Sequence, residues 1–244
     1  MDRDEYLGHV HRDGARLIEV ARASASAEIP SCPGWDMRAL VGHVASVDTW
    51  VASILEQKLQ ARPHLRRVDE LVGDFDAIAA DYDANFARLV AMLGATPEDE
   101  VVWNWSDRAP APARFWFRRM AHETAIHRVD AELGAGTVTP IEAALAADGI
   151  DEFLSLLARH ISDEPVDSLK GSIAFVASDV DEEWRLALAP NRVEFVVANM
   201  DATVRAPAAA LYRWILHRDG GDESAVEMVG NKSVIESWRR VTFK

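Results

Sequence analysis

The residues of this sequence best suited to chemistry are two histidines and a glutamate: His43, Glu123 and His127. Residues four apart on an α-helix are separated by about 40° around its axis, so Glu123 and His127 project from one helix face and a single cation can reach both. Two imidazoles and a carboxylate form a ligand set for a divalent metal ion that leaves a position open for water or substrate. His122 stands five residues before His127, about 140° around the helix. The run His122-Glu123-Thr124-Ala125-Ile126-His127 therefore misses the two-histidine pair of a zincin helix, and a metalloprotease loses its main support. His43 lies among Leu40, Val44, Val47 and Trp50, apolar residues that a helix turns inward, and an imidazole there needs a partner. Asp130 is placed to orient a ligand from behind or to pair with Arg128. The plain alternative is an ordinary hydrogen-bonded core histidine beside an unrelated Glu/His pair. Cys32 has no CxxC partner and reads as a buried or idle thiol. His9, His11, His64, His160 and His217 have no companions in sequence and read as surface or loop residues.

Positioning these groups requires helices. Leu7, Val10, Leu17, Ile18 and Ala21 recur at helical spacing, and this first helix ends before Pro30. Pro30, Pro33 and Gly34 make a loop, and Asp36 is placed to cap a second helix running from Met37 to about Gln60. Leu71, Phe75, Ile78, Tyr82, Phe86, Leu89 and Leu93 keep steps of three or four, which predicts a third helix closed by Gly94. Pro97, Pro110 and Pro112 bracket a long connection containing Trp103 and Trp105. A fourth helix follows over roughly Ala113 to Leu133.

Gly134, Gly136 and Pro140 then interrupt the pattern, dividing the chain into domains at 1–138 and 139–244. Beyond them the pattern predicts a helix from Ile141 to about Ile161 and β-prone runs at 172–177, 184–188 and 193–197 that suit an antiparallel meander. A helix over Ala206 to His217 and a last one over Val234 to Arg240 complete an α+β second domain.

The 244 residues suffice for one large or two ordinary cores, and 49% hydrophobic with 27% charged residues is a globular composition. A formal charge of −14 repels phosphate backbones and anionic lipid heads, which disfavours nucleic acid and membrane as partners. A solitary cysteine and a charged N-terminus point to the cytoplasm.

Cys32-Pro33-Gly34-Trp35-Asp36 followed by Leu40-Val41-Gly42-His43 is similar to the opening motif of the mycothiol-dependent maleylpyruvate isomerase family. Arg118 through Glu132, centred on His122-Glu123 and His127, resembles its second motif. The resemblance implies a DinB-like four-helix bundle binding Zn2+, or another divalent metal, through His43, Glu123 and His127. It also implies a smaller C-terminal α+β domain of sterol-carrier-like shape. The second half matches more loosely, through Trp184, Val204 to Leu211, Trp214, Arg218 and Val229-Gly230. By the resemblance Arg218 is the catalytic and cofactor-binding arginine, although His217 precedes it where the family commonly has glycine, and a surface arginine is the alternative.

The implied activity is that of a metal-dependent isomerase or S-transferase using mycothiol, a low-molecular-weight thiol, on a small electrophile of maleylpyruvate type. The expected partners are that thiol and its substrate, in a monomer or weak homodimer. The alternatives are a metal-stabilised small-molecule binding protein and a metal-dependent hydrolase, the latter needing a base near the ion.

Overall fold

Aspartates start the first three helices. Asp2 accepts from Glu5 N while Glu5 reaches back to Asp2 N at 2.6 Å, a capping box opening α1 (Arg3–Ala23). Asp36 caps α2 (Met37–Glu56) by accepting from Ala39 N, and Asp74 caps α3 (Phe75–Ala95) by accepting from Ala77 N. Each satisfies an amide that the helix itself leaves unpaired. The fourth, α4 (Arg114–Ala135), has no side-chain cap and ends at Gly136 in the left-handed region. This computed structural model describes residues 1–64, 72–106, 110–160, 169–190 and 192–240.

The predicted boundaries shift where backbone chemistry intervenes. The second helix stops at Glu56 rather than near Gln60, because Lys58 takes a φ of 49° and turns the chain so that Leu59 O accepts from Trp103 N. Gly94 lies inside the last turn of α3 instead of closing it, and Leu71 falls outside the described residues.

The chain divides into two compact units, Met1–Thr139 and Pro140–Lys244. In the first, α1 packs mainly on α4 and α2 on α3, around Leu17, Met37, Leu40, Val41, Ile78 and Tyr82. Burying each such side chain contributes about 1.5–3 kcal/mol. The connection before α4 is pinned by an aromatic cluster in which Trp50, Trp103, Trp105 and Trp116 meet at centroid distances of 5.3–6.1 Å.

A buried ionic network fixes the rotation of α4. Arg128 donates to Glu132 Oε2 at 2.8 Å and to Thr139 O at 2.6 Å, and its Nε lies 3.4 Å from Asp13 Oδ1 on α1. Arg128 does not pair with Asp130, one of the two roles the sequence allows that aspartate. Because Arg128 follows His127 by about 100° around the helix, holding it against α1 also sets where the His127 face points.

In the second unit, α5 (Ala143–His160) precedes a five-stranded sheet ordered β3-β2-β1-β4-β5. The predicted end of this helix at Ile161 lies outside the described residues. Strands β1 (Gly171–Ala177), β2 (Glu182–Ala189) and β3 (Arg192–Phe195) form the antiparallel meander. The sequence pattern does not predict β4 (Ala202–Ala206), which pairs parallel to β1, nor β5 (Glu227–Gly230) at the sheet edge. Helices α6 (Ala208–Ile215) and α7 (Lys232–Arg239) bring Trp214 and Trp238 onto Phe175 of β1, so the unit is α+β. No helix among the described residues is long and apolar enough to cross a membrane.

Removing Arg128 takes the hydrogen-bonded cation from the buried carboxylate of Asp13 and leaves that of Glu132 to Arg16 and Thr139. Arg128→Ala is expected to lower unfolding free energy by about 3–5 kcal/mol in urea titrations, whereas Arg88→Ala, which breaks a half-exposed pair with Glu56, costs under about 1 kcal/mol.

Candidate metal centre

Two helices meet at three side chains. His43 lies two turns into α2, while Glu123 and His127 share one face of α4 as their spacing requires. Oε1 of Glu123 lies 3.1 Å from His127 Nε2 and 3.5 Å from His43 Nε2. One ligand atom from each residue falls within 4.8 Å of the others, and the two imidazole rings stand at 71° with centroids 4.9 Å apart. This is the group the sequence brings forward, assembled among the described residues.

Neighbouring groups aim each ligand. Arg119, one turn before Glu123, donates to Oε2 at 2.6 Å and leaves Oε1 facing the histidines. His127 Nδ1 donates to Asp130 Oδ2 at 2.9 Å, which directs Nε2 toward Glu123. Asp130 is fully buried and accepts from Ser31 Oγ at 2.5 Å, with Cys32 Sγ 3.8 Å from its other oxygen. The indole of Trp35 lies 5.0 Å from the His43 ring. The loop before α2 thus supports both histidines. Cys32 is half-buried and stands behind Asp130 instead of among the candidate ligands.

The electrostatics follow from these contacts. Burial alone would push the Glu123 carboxyl up, but the charges of His127 and Arg119, with hydrogen bonds from both histidines, hold it well below the usual carboxylate range. Burial would lower His127, and the carboxylates of Glu123 and Asp130 outweigh it, raising the imidazole to about 9. Without an ion, the position between His127 Nε2 and Glu123 is therefore held by a proton.

The donor set suits a metal of zinc type. Two neutral imidazole nitrogens and one carboxylate oxygen are borderline ligands, and Asp130 supplies the carboxylate that a metal-binding histidine usually carries on its second nitrogen.

His9 departs from the sequence expectations, and the burial of Asp48 and His122 goes unread there. Asp48 is completely buried on α2, and among the described residues neither of its oxygens has a hydrogen-bond partner. Burial and then the charge of Glu123 push its carboxyl well up, with His127 opposing. A lone acid on the apolar face Val44–Val51 was the signal available. His9 is buried on α1 beside Arg12, not at the surface. His122 is buried with its ring 6.3 Å from that of Tyr6 on α1, and it is not a member of the candidate ligand group.

In the second unit, Arg218 donates to Leu216 O at 2.8 Å in its own turn. His217 before it adopts a φ of 60°, the left-handed conformation that glycine takes without strain. Its imidazole is lowered to about 4, by burial first and then by the charge of Arg239.

Comparison with known proteins agrees with this architecture. A family model described as the mycothiol maleylpyruvate isomerase N-terminal domain matches residues 7–132, and the MDMPI C-terminal domain model matches residues 144–237. A crystal structure of the mycothiol-dependent maleylpyruvate isomerase superposes with a TM-score of 0.63 at 18% identity, covering 95% of each chain. A histidine-to-alanine variant of that enzyme gives 0.60 with the same identity and coverage. At this identity the likeness is one of fold. No curated protein sequence matches the chain.

Two measurements test the centre. An ion must displace the proton on His127 Nε2, so the zinc affinity read by chelator competition is expected to rise at least about tenfold per pH unit from about pH 7 and to flatten above about 9. A pH-independent affinity would remove His127 as a ligand. Asp130→Asn, which keeps shape but removes the charge behind His127, is expected to weaken zinc by about 10–100-fold while the fold persists by circular dichroism.

Proposed function

Because the chain belongs to the mycothiol maleylpyruvate isomerase family, we propose that the unit Met1–Thr139 is a DinB-like bundle holding one divalent cation, Zn2+ by its donor set, on His43, Glu123 and His127. We further propose that the protein is a mycothiol-using isomerase or S-transferase acting on a small electrophile of maleylpyruvate type, working in the cytoplasm. The observation that supports it is the convergence of Glu123 Oε1 with two imidazole Nε2 atoms from separate helices.

A cation held by His43, Glu123 and His127 would act as a Lewis acid toward a thiol, lowering its pKa and favouring the thiolate. This chain's residues prepare that event. Arg119 and Asp130 lock the ligand atoms toward one point, so little rearrangement is needed on binding. The Trp35 indole lies against the His43 ring, and His127 is buried between the helices. Thiolate addition to an activated double bond moves the π pair onto the activating carbonyl as an enolate and leaves a single bond; rotation and return of that pair expel the same thiolate and give the trans isomer. Retention of the sulfur on the electrophile is the S-transferase outcome. Arg218 is carried in this proposal as the group that binds substrate carboxylates.

Hydrolysis is the weaker alternative here. It needs a base beside the ion, and the carboxylates in contact with the candidate ligand histidines, Glu123 and Asp130, are already held to them. A metal-stabilised binding protein is separated by thiol chemistry.

Elemental analysis of purified protein is expected to give about one zinc per chain, lost in His43→Ala and His127→Ala. Titrating the zinc-loaded protein with mycothiol should produce thiolate absorbance below the ordinary thiol pKa of about 8.5, absent in both variants. Zinc without any thiolate signal would leave a structural ion and sink the enzymatic assignment. With a maleylpyruvate-type substrate, product analysis separates trans isomer from thioether.

A further inference from the structure

The core seam of α2 carries one group that is foreign to it. Met37, Val41, Val44, Asp48, Val51 and Leu55 step by four, three, four, three and four, the spacing of a stripe that a helix turns into a bundle. All six are 3% exposed or less, and the other five are apolar. Asp48 is fully buried, and among the described residues neither of its oxygens has a hydrogen-bond partner. A carboxyl there gives up its hydration and recovers no hydrogen bond from those residues, so a fold that keeps it calls for a partner from outside the chain.

The donors that flank or face it are committed to other acceptors. On α2 itself Ser46 Oγ donates to Gly42 O at 2.7 Å and Thr49 Oγ1 to Ala45 O at 3.0 Å. On α3 the Tyr82 hydroxyl, which feels the charge of Asp48, donates to Gly14 O of α1 at 2.9 Å. A hydroxyl has one proton to give, so these three are spent. On α4 the charges that reach Asp48 are those of Glu123 and His127, and His127 uses Nδ1 on Asp130 and turns Nε2 to Glu123. Asp48 is not itself one of the three residues whose ligand atoms lie within 4.8 Å of one another. It follows His43 by five residues, about 140° around the helix and about 7.5 Å along it. The acid is thus close enough to feel the α4 ligands and stands outside the point on which they converge.

We propose that Asp48 is a positioning residue of the metal centre, whose unpaired oxygens accept hydrogen bonds from water that a cation on His43, Glu123 and His127 brings into the bundle. Three protein ligands leave positions on such a cation to water, and water on a dication is a stronger donor than bulk water because the ion draws charge from its O–H bonds. The inference rests on the metal reading above and adds to it an acid outside the ligand set.

The test is made on the full chain with Asp48→Leu and Asp48→Asn, by chelator competition for zinc and by urea unfolding of the metal-free protein. Asp48→Leu completes the apolar seam and is expected to raise the metal-free unfolding midpoint while weakening zinc by about tenfold or more. Asp48→Asn keeps the shape and one acceptor oxygen, and is expected to recover most of that affinity. With cobalt in place of zinc, the visible absorption bands are expected to shift in Asp48→Leu and to return in Asp48→Asn, because they follow the donors around the ion. Parallel loss of metal-free stability and zinc affinity with unmoved cobalt bands would make Asp48 a structural acid and overturn the inference. Wild type that takes up no zinc would sink the metal reading and this inference with it; one zinc per chain, held equally well by Asp48→Leu, would sink this inference alone.

Discussion

One carboxylate oxygen, Oε1 of Glu123, organises the first unit's chemistry, because two imidazole nitrogens from different helices lie within 3.5 Å of it. A largely buried carboxylate is costly unless each lone pair is satisfied, and here Arg119 takes the second oxygen so that the first has one direction left. The contacts run along a single helix face: Arg119, Glu123, His127 and Asp130 step by four, four and three. Each residue therefore touches the next, and the rotamer of one is set by its neighbours. Rotating α4 would carry the whole ladder away from His43 and from the loop before α2, which gives the buried Arg128 network a functional consequence beyond stability.

The loop that precedes α2 supplies what the helices cannot. Ile29 N donates to Trp35 O at 2.9 Å and Met37 N to Ala27 O at 2.9 Å, closing a turn in which Gly34 takes a φ of 86°. That turn delivers Ser31 and Cys32 to Asp130 and Trp35 to His43. The run Cys32-Pro33-Gly34-Trp35-Asp36, with Ser31 before it, thus acts by position: Asp36 caps the helix carrying one candidate ligand, and Ser31 and the Cys32 thiol brace the residue behind another. Ligand placement to a fraction of an ångström depends on such outer contacts more than on the ligands' own backbone.

Much of this was legible in the sequence because helical periodicity converts spacing into direction. Glu123 and His127 had to share a face, and the apolar neighbours of His43 had to turn it inward. The meander at β1–β3 followed from short apolar runs between turn residues. What escaped was set by tertiary partners. The strand β4 is Ala202-Thr203-Val204-Arg205-Ala206, too short and too small in side chain to announce itself, and its pairing parallel to β1 comes from the sheet around it. His9 looked like a surface residue because its burial depends on how α1 lies in the bundle. Asp48 carried a visible anomaly, an acid on an apolar face, but no spacing rule linked it to a partner, and among the described residues its oxygens have none.

Asp48 makes sense when charge is counted around the centre instead of bond by bond. Glu123, Asp130 and Asp48 are acids; Arg119 and the raised His127 are the cations near them. With a proton on His127, two positive groups balance two carboxylates, and burial together with the charge of Glu123 pushes the Asp48 carboxyl well up. A dication held by His43, Glu123 and His127 in place of that proton would add one net positive charge, which would draw the Asp48 carboxyl back down. An apolar side chain at this position would be cheaper to bury in a metal-free bundle. The acid is chemically coherent beside a centre that gains positive charge, which ties the least satisfied residue of the core to the best organised one.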